Sequence, residues 1–185
     1  MTTTITGADG VSKVQTGAIE HGDLPSGAVL QVISYYTAAQ TAQTLSTSDQ
    51  VINSMSKVVT PLGANSKFLV QVRWGGETNE AHNTCFNIQM NGTRVNSGGG
   101  RGYYLGMSSL SYYSENDSST PETVNFSTLV STSSVIGTDI TFRLVGDTNT
   151  SSTTWSNRCF GGNPASVSPA YEGSTSELII TEIAG

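Results

Sequence analysis

Thr60-Pro61-Leu62-Gly63-Ala64-Asn65-Ser66-Lys67-Phe68-Leu69-Val70-Gln71-Val72-Arg73-Trp74 joins the strongest strand pattern in the chain to the clearest turn before it. Phe68, Val70, Val72 and Trp74 share one face at a period of two, while Lys67, Gln71 and Arg73 share the other. A strand with one buried and one wet face reads this way. Ahead of it, Pro61 cannot donate to a ladder and Gly63 can adopt a positive φ, so the chain must turn there. The rest of the sequence repeats this grammar of strand and turn.

Upstream, Val29, Leu30, Val32, Ile33, Tyr35 and Tyr36 form a nearly uninterrupted β-prone run, which predicts a strand covered on both sides, as at a subunit interface. Residues 37–50 read as a loop, because their threonines and the lack of an apolar face disfavour a helical turn at Ala38-Ala39-Gln40. Val51 to Val59 is the next strand. Downstream of the opening stretch, Gly75 to Glu80 reads as a loop, and Phe86, Ile88 and Met90 alternate with polar residues. Asn91-Gly92 is the best hairpin signal, since a type I′ turn needs positive φ at both central positions; Val95 then lies on the return strand. Further strands are expected over Val124–Val130, over Ile140–Leu144 closed by Gly146-Asp147, over Thr154–Phe160, and over Ser176–Ile183. About nine strands with frequent turns and no convincing helix predict an all-β domain, an antiparallel, jelly-roll-like β-sandwich forming a knob over residues 25–185.

A chain of 185 residues buries a core without a metal or disulfide staple. Its charged fraction is only 12%, so its surface hydrogen-bonds more than it attracts ions. The net charge is −6 and the eight Lys and Arg residues are scattered, which argues against nucleic-acid binding and against a polybasic membrane patch. No apolar run is long enough to span a bilayer as a helix. The first residues lack the basic start and apolar core of a secretory signal, giving the expectation of synthesis in a cytoplasm. Cys85 and Cys159 sit in separate expected strands that could meet in space, but two cysteines make no disulfide framework, and they read as reduced thiols behaving as small hydrophobes ahead of a paired disulfide.

Residues 1–24 differ from the rest of the chain, with many turn formers and few periodic apolar positions. They read as an extended arm that orders by docking on another subunit or a larger assembly; the bland alternative is a frayed tail. The candidates for its docking contacts are Ile5, Val11, Val14, Ile19 and Leu24.

The inventory for chemistry is thin. His21 and His82 share no metal-ligand spacing with each other or with the cysteines. Asp139, Asp147 and the Glu115-Asn116-Asp117 run lack the register of a calcium loop and read as solvated acids. The glycine loop from Ser97 to Gly102 matches neither phosphate-binding pattern. No catalytic, cofactor-binding or metal-binding residue is assigned. Aromatics in or beside loops are the better lead, as surfaces for stacking on sugars or anchoring a protein contact: Trp74, Trp155 and Tyr171, and above all the glycine- and tyrosine-rich segment with Arg101, Tyr103, Tyr104, Tyr112 and Tyr113. The competing reading places them in the core or at a subunit interface.

Four segments, in order, resemble the tail-fibre-like proteins of tailed bacteriophages, especially those infecting cyanobacteria and other marine bacteria. They are Gly27-Ala28-Val29-Leu30-Gln31-Val32, the stretch from Thr60-Pro61 through Asn65-Ser66-Lys67-Phe68-Leu69-Val70, Thr154-Trp155-Ser156-Asn157-Arg158, and Ser174 through Ile183. The resemblance spans residues 27–185. It implies a homotrimeric β-sandwich knob carried on the virion, anchored through its N-terminal segment to other virion proteins (tail, adaptor or capsid) and contacting a host surface glycan or protein. It implies no enzyme activity and no cofactor. This chain departs from long fibres in having neither a repeat shaft nor heptads, which suits a short fibre, a knob on an adaptor, or a fibre standing on the head. The rival readings are a capsid decoration or head-fibre protein with only a structural role, and a glycan depolymerase.

Overall fold

The computed structural model describes residues 20–79, 84–96, 106–110, 121–149, 151–158 and 173–185. Its strands in chain order are β1 (Val29–Thr37), β2 (Thr41–Leu45), β3 (Gln50–Val59), β4 (Lys67–Thr78), β5 (Thr84–Met90), β6 (Thr93–Arg94), β7 (Ser108–Ser109), β8 (Glu122–Ser131), β9 (Ile140–Thr148), β10 (Ser152–Ser156) and β11 (Ser176–Ile183). Among the described residues all pairings are antiparallel and form two sheets.

The eleven segments behave as eight strands. β1 pairs with β11 as far as Thr37 opposite Ser176, and β2 resumes the line by pairing with β10 from Thr41 opposite Ser156. β10 and β11 likewise follow one another along the same edge of β4, and β6 and β7 along β5. One sheet therefore runs β1/β2, β11/β10, β4, β8, and the other runs β3, β9, β5, β6/β7. Successive strands cross from sheet to sheet, β2 to β3, β3 to β4, β4 to β5, β7 to β8, β8 to β9 and β9 to β10. That alternation is the connectivity of a jelly roll, as the sequence predicted.

The opening stretch supplies the centre of this core. Phe68, Val70, Val72 and Trp74 are all buried, while Lys67, Gln71 and Arg73 are exposed. Across the sandwich the Phe68 and Phe142 rings lie 5.3 Å apart and the Trp74 and Phe86 rings 4.9 Å apart, within the range where aromatic pairs attract beyond simple burial. The buried Trp74 indole donates to the Ser156 hydroxyl at 3.0 Å, so its one polar atom is satisfied. Trp155 is buried as well, so neither tryptophan is a loop aromatic. The Asn91-Gly92 hairpin has φ values of 50° and 82°, as a type I′ turn requires.

Other expectations need correcting. Residues 37–50 hold a strand, β2, whose alternating exposure along Thr41–Leu45 is sustained by pairing with β10, a long-range partner that local composition does not reveal. Gly75 to Thr78 continue β4 and are not a loop. Glycine is needed at Gly76 because a Cβ there would collide with the Trp155 carbonyl oxygen and the Trp74 ring. In the turn before β4 the left-handed residue is Asn65, with φ 54°, and not Gly63. β1 is covered on one face only: Ile33 and Tyr35 pack on the core, while Val32 and Tyr36 are each 62% exposed.

Candidate functional site

The sandwich has two distinct ends. Residues 60–66, the Asn91-Gly92 turn and residues 132–139 connect strands at one end, and the chain from Glu20 to Ala28 and its last residues lie there too. Gly27 N–H donates to the Ala184 carbonyl at 2.9 Å, and Ala184 N–H to the Ala28 carbonyl at 2.8 Å. Leu24, half-buried, lines a crevice of about 280 Å³ at this end with Leu30, Leu62 and Ile136. Beside it Val135 and Ile136 are largely exposed. At the far end, some twelve residues of β4 away, lie Leu110 and Pro121, which flank the segment carrying Tyr112 and Tyr113. Of the predicted arm and contact residues, Leu24 alone is among the described residues; Ile5, Val11, Val14, Ile19, Arg101, Tyr103, Tyr104, Tyr112 and Tyr113 lie outside them.

The most elaborate polar arrangement is at the arm's end, and it draws on residues from β1, the 60–66 turn and β11. Glu182 on β11 is in phase with the inward residues Leu178 and Ile180 and is fully buried. Its Oε1 accepts from the Leu62 and Gly63 backbones at 2.9 Å each and from the Ser66 hydroxyl at 2.6 Å. Its Oε2 accepts from the Gln31 amide at 2.5 Å. Burial pushes this carboxyl up, but the hydrogen bonds from Ser66, Gln31 and the Gly63 and Leu62 backbones outweigh it and hold the group below the ordinary range. A carboxylate so fully occupied is no general base. It is an anionic core for the 60–66 turn, tying β1, β4 and β11 together.

The segment after β10 makes a second lock. Asn157, with φ 60°, follows β10, and its amide donates to the Thr37 carbonyl at 3.2 Å and the Ala39 carbonyl at 3.0 Å. Its Oδ1 accepts from the Ser176 hydroxyl at 2.7 Å. Asparagine tolerates the left-handed conformation, and here its side chain pins the passage from β1 to β2 against the break between β10 and β11. No local pattern in these segments marks the locks. One signal was present: an acid at Glu182, in the buried phase of a strand, demands partners.

On the second sheet Arg94 bridges two acids, meeting Asp49 at 2.5 Å and Asp147 at 2.9 Å. Asp147 is 2% exposed, so it is a buried ion-pair member and not a solvated loop acid. Burial raises its carboxyl, and Arg94 draws it back. Burial also raises the Cys85 thiol, with Asp147 adding to the shift, so Cys85 is a poor nucleophile at neutral pH. Glu122, at the start of β8, is pushed up to about 7 by burial and by the nearby Glu77 charge. Asp139, at the arm's end, accepts from the Thr60 hydroxyl at 2.6 Å. Among the described residues no group of three or more His, Cys, Asp or Glu side chains is arranged to hold a metal ion, and no helix is long and apolar enough to cross a membrane.

Fold and site together define a jelly-roll β-sandwich in which the Glu182 and Asn157 centres tie neighbouring strands together. No family model matches the chain, and no curated protein matches it.

Proposed function

We propose that this chain is a non-enzymatic structural protein of a tailed-bacteriophage virion: a homotrimeric short-fibre knob, anchored by its N-terminal arm to tail, adaptor or capsid proteins and touching a host surface glycan or protein. The observation that carries the reading is the polarity of the sandwich. The arm leads into one end, next to exposed Val135 and Ile136, while Leu110 and Pro121, the flanks of the tyrosine-bearing segment, lie at the other. Support also comes from the two locks, which give a physical reason for the four resembling segments to occur together: each supplies a partner in a buried hydrogen-bond network. Jelly rolls recur in viral shells, an argument from fold analogy alone.

Deleting residues 1–19, which spares Leu24 in its crevice, tests the anchor: the variant is expected to fold and to be lost from particles. Normal incorporation of that variant would sink the anchoring claim. Purified protein added to susceptible cells is expected to bind and to compete with particles; neither effect would remove the host-contact claim. The apolar Val135-Ile136 tip beside the arm also suits a broad seat on a shell, as a decoration or head-fibre protein would need. Imaging of labelled particles separates the two. Release of reducing ends from host glycan would overturn the non-enzymatic reading in favour of a depolymerase.

A further inference from the structure

The outer face of the first sheet is an ordered grid with nothing among the described residues over it. Its four aligned strands present four outward positions each. The row Val32, Thr181, Leu69, Leu129 crosses all four strands in register without a charge. Val32 and Leu129 are 62% and 50% exposed. Only three of the sixteen positions are charged, Lys67 and Arg73 on β4 and Glu177 on β11. The sequence of β1 reads as a strand covered on both faces, and its own chain covers one. An exposed apolar stripe of this kind marks a contact surface.

We infer that the cover is a second copy of this chain, with the β1–β11 half of one copy laid on the β4–β8 half of the next about a rotation axis parallel to the strands. Charge supports this occupant. The β1–β11 half carries Glu177 as its one charge and the β4–β8 half carries Lys67 and Arg73, so the halves have opposite signs, although Glu177 and Arg73 are also cross-strand neighbours within one copy and Lys67 alone is left over. A two-fold axis between β11 and β4 sets Glu177 of one copy opposite Arg73 of the other, and Val32 opposite Leu129; a three-fold axis pairs the same halves around a ring. Area supports it as well. At about 30 Å² per interface residue, a two-fold pair with sixteen residues on each side buries about 1,000 Å² in total, which reaches the size of a specific interface and stays below that of most obligate dimers, while a three-fold ring joins about eight residues to eight at each of three contacts of about 500 Å². An axis along the strands also leaves every arm at the same end of the assembly. The inference rests on the three-copy part of the proposed function and specifies its contact surface; virion attachment does not enter it.

Sedimentation equilibrium of the full chain tests it. The wild-type protein is expected to show an oligomer mass that falls on dilution. Val32→Glu with Leu129→Glu, both at exposed positions, is expected to give monomer with an unchanged circular dichroism spectrum, while Val135→Glu at the arm's end leaves the oligomer intact. A wild-type monomer at about 100 µM overturns both the interface and the three-copy assembly. A wild-type oligomer that survives Val32→Glu with Leu129→Glu overturns the interface alone, and one lost on deleting residues 1–19 assigns association to the arm instead.

Discussion

Replacing Glu182 tests the lock that organises the 60–66 turn. In Glu182→Ala, Ser66 keeps a partner, because its hydroxyl also reaches the Gly63 carbonyl at 3.0 Å, and Gln31 keeps the Thr60 carbonyl at 2.9 Å. The Leu62 and Gly63 N–H groups lose the carboxylate and gain nothing. Two orphaned backbone donors at about 1–3 kcal/mol each give an expected loss of about 3 kcal/mol. For a domain of this size that is a fall in Tm of about 10 °C. Glu182→Gln keeps the shape and one acceptor, but its amide group faces Gln31, which must turn over and release Thr60; the expected loss is about 1–2 kcal/mol. The sign of the pH dependence follows from the depressed carboxyl. Because the folded value lies below the ordinary 4.5, the wild-type protein holds this stabilisation above that pH and loses it as pH falls through the folded value. Urea unfolding from pH 3 to 7 should therefore show the wild type and Glu182→Gln converging in acid. A Glu182→Ala variant within about 0.5 kcal/mol of wild type at pH 7 would refute the lock, because that is the scatter expected of surface substitutions.

Glu122→Gln should stabilise at pH 8 and do nothing at pH 4, since the folded carboxyl sits at about 7 and its ionisation is resisted by burial and by Glu77. The gain, discounted for solvent screening of a half-buried group, is about 1 kcal/mol and is read as Tm against pH. Arg94→Met leaves Asp147 buried without its cation and is expected to cost about 3–5 kcal/mol at pH 7, less in acid where Asp147 can take a proton. Asn157→Ala removes two donors from the Thr37 and Ala39 carbonyls and puts alanine at a φ of 60°, for about 3 kcal/mol by urea titration. Gly76→Ala drives a methyl into the Trp155 carbonyl and the Trp74 ring, and its measure is soluble yield: little or no folded protein is expected.

Period-two alternation determined the sandwich. Phe68 to Trp74, Ile140 to Leu144 and Ser176 to Ile183 declare their buried faces residue by residue, and Asn91-Gly92 declares its turn, because side-chain direction and turn torsions are local properties of the chain. Strand pairing is not local, and there the sequence was silent. β2 has no apolar stripe and exists because β10 lies beside it, and Gly75-Gly76 read as a loop until the closeness of Ser174 to Gly75 and of Trp155 on β10 to Gly76 explained why they lack side chains. The candidate site divides the same way. Composition favoured the arm and the tyrosine-rich segment as places of contact and argued against nucleic acid, and residue spacing argued against metals. Only the tertiary structure showed Gln31, Ser66 and Glu182 meeting at one buried carboxylate, since residues up to 151 positions apart in sequence share no local signature. The same holds for the outer face of the first sheet. Val32 belonged to a run that read as covered on both sides and Leu129 to an ordinary strand, and only the register of four strands set the two in one exposed row.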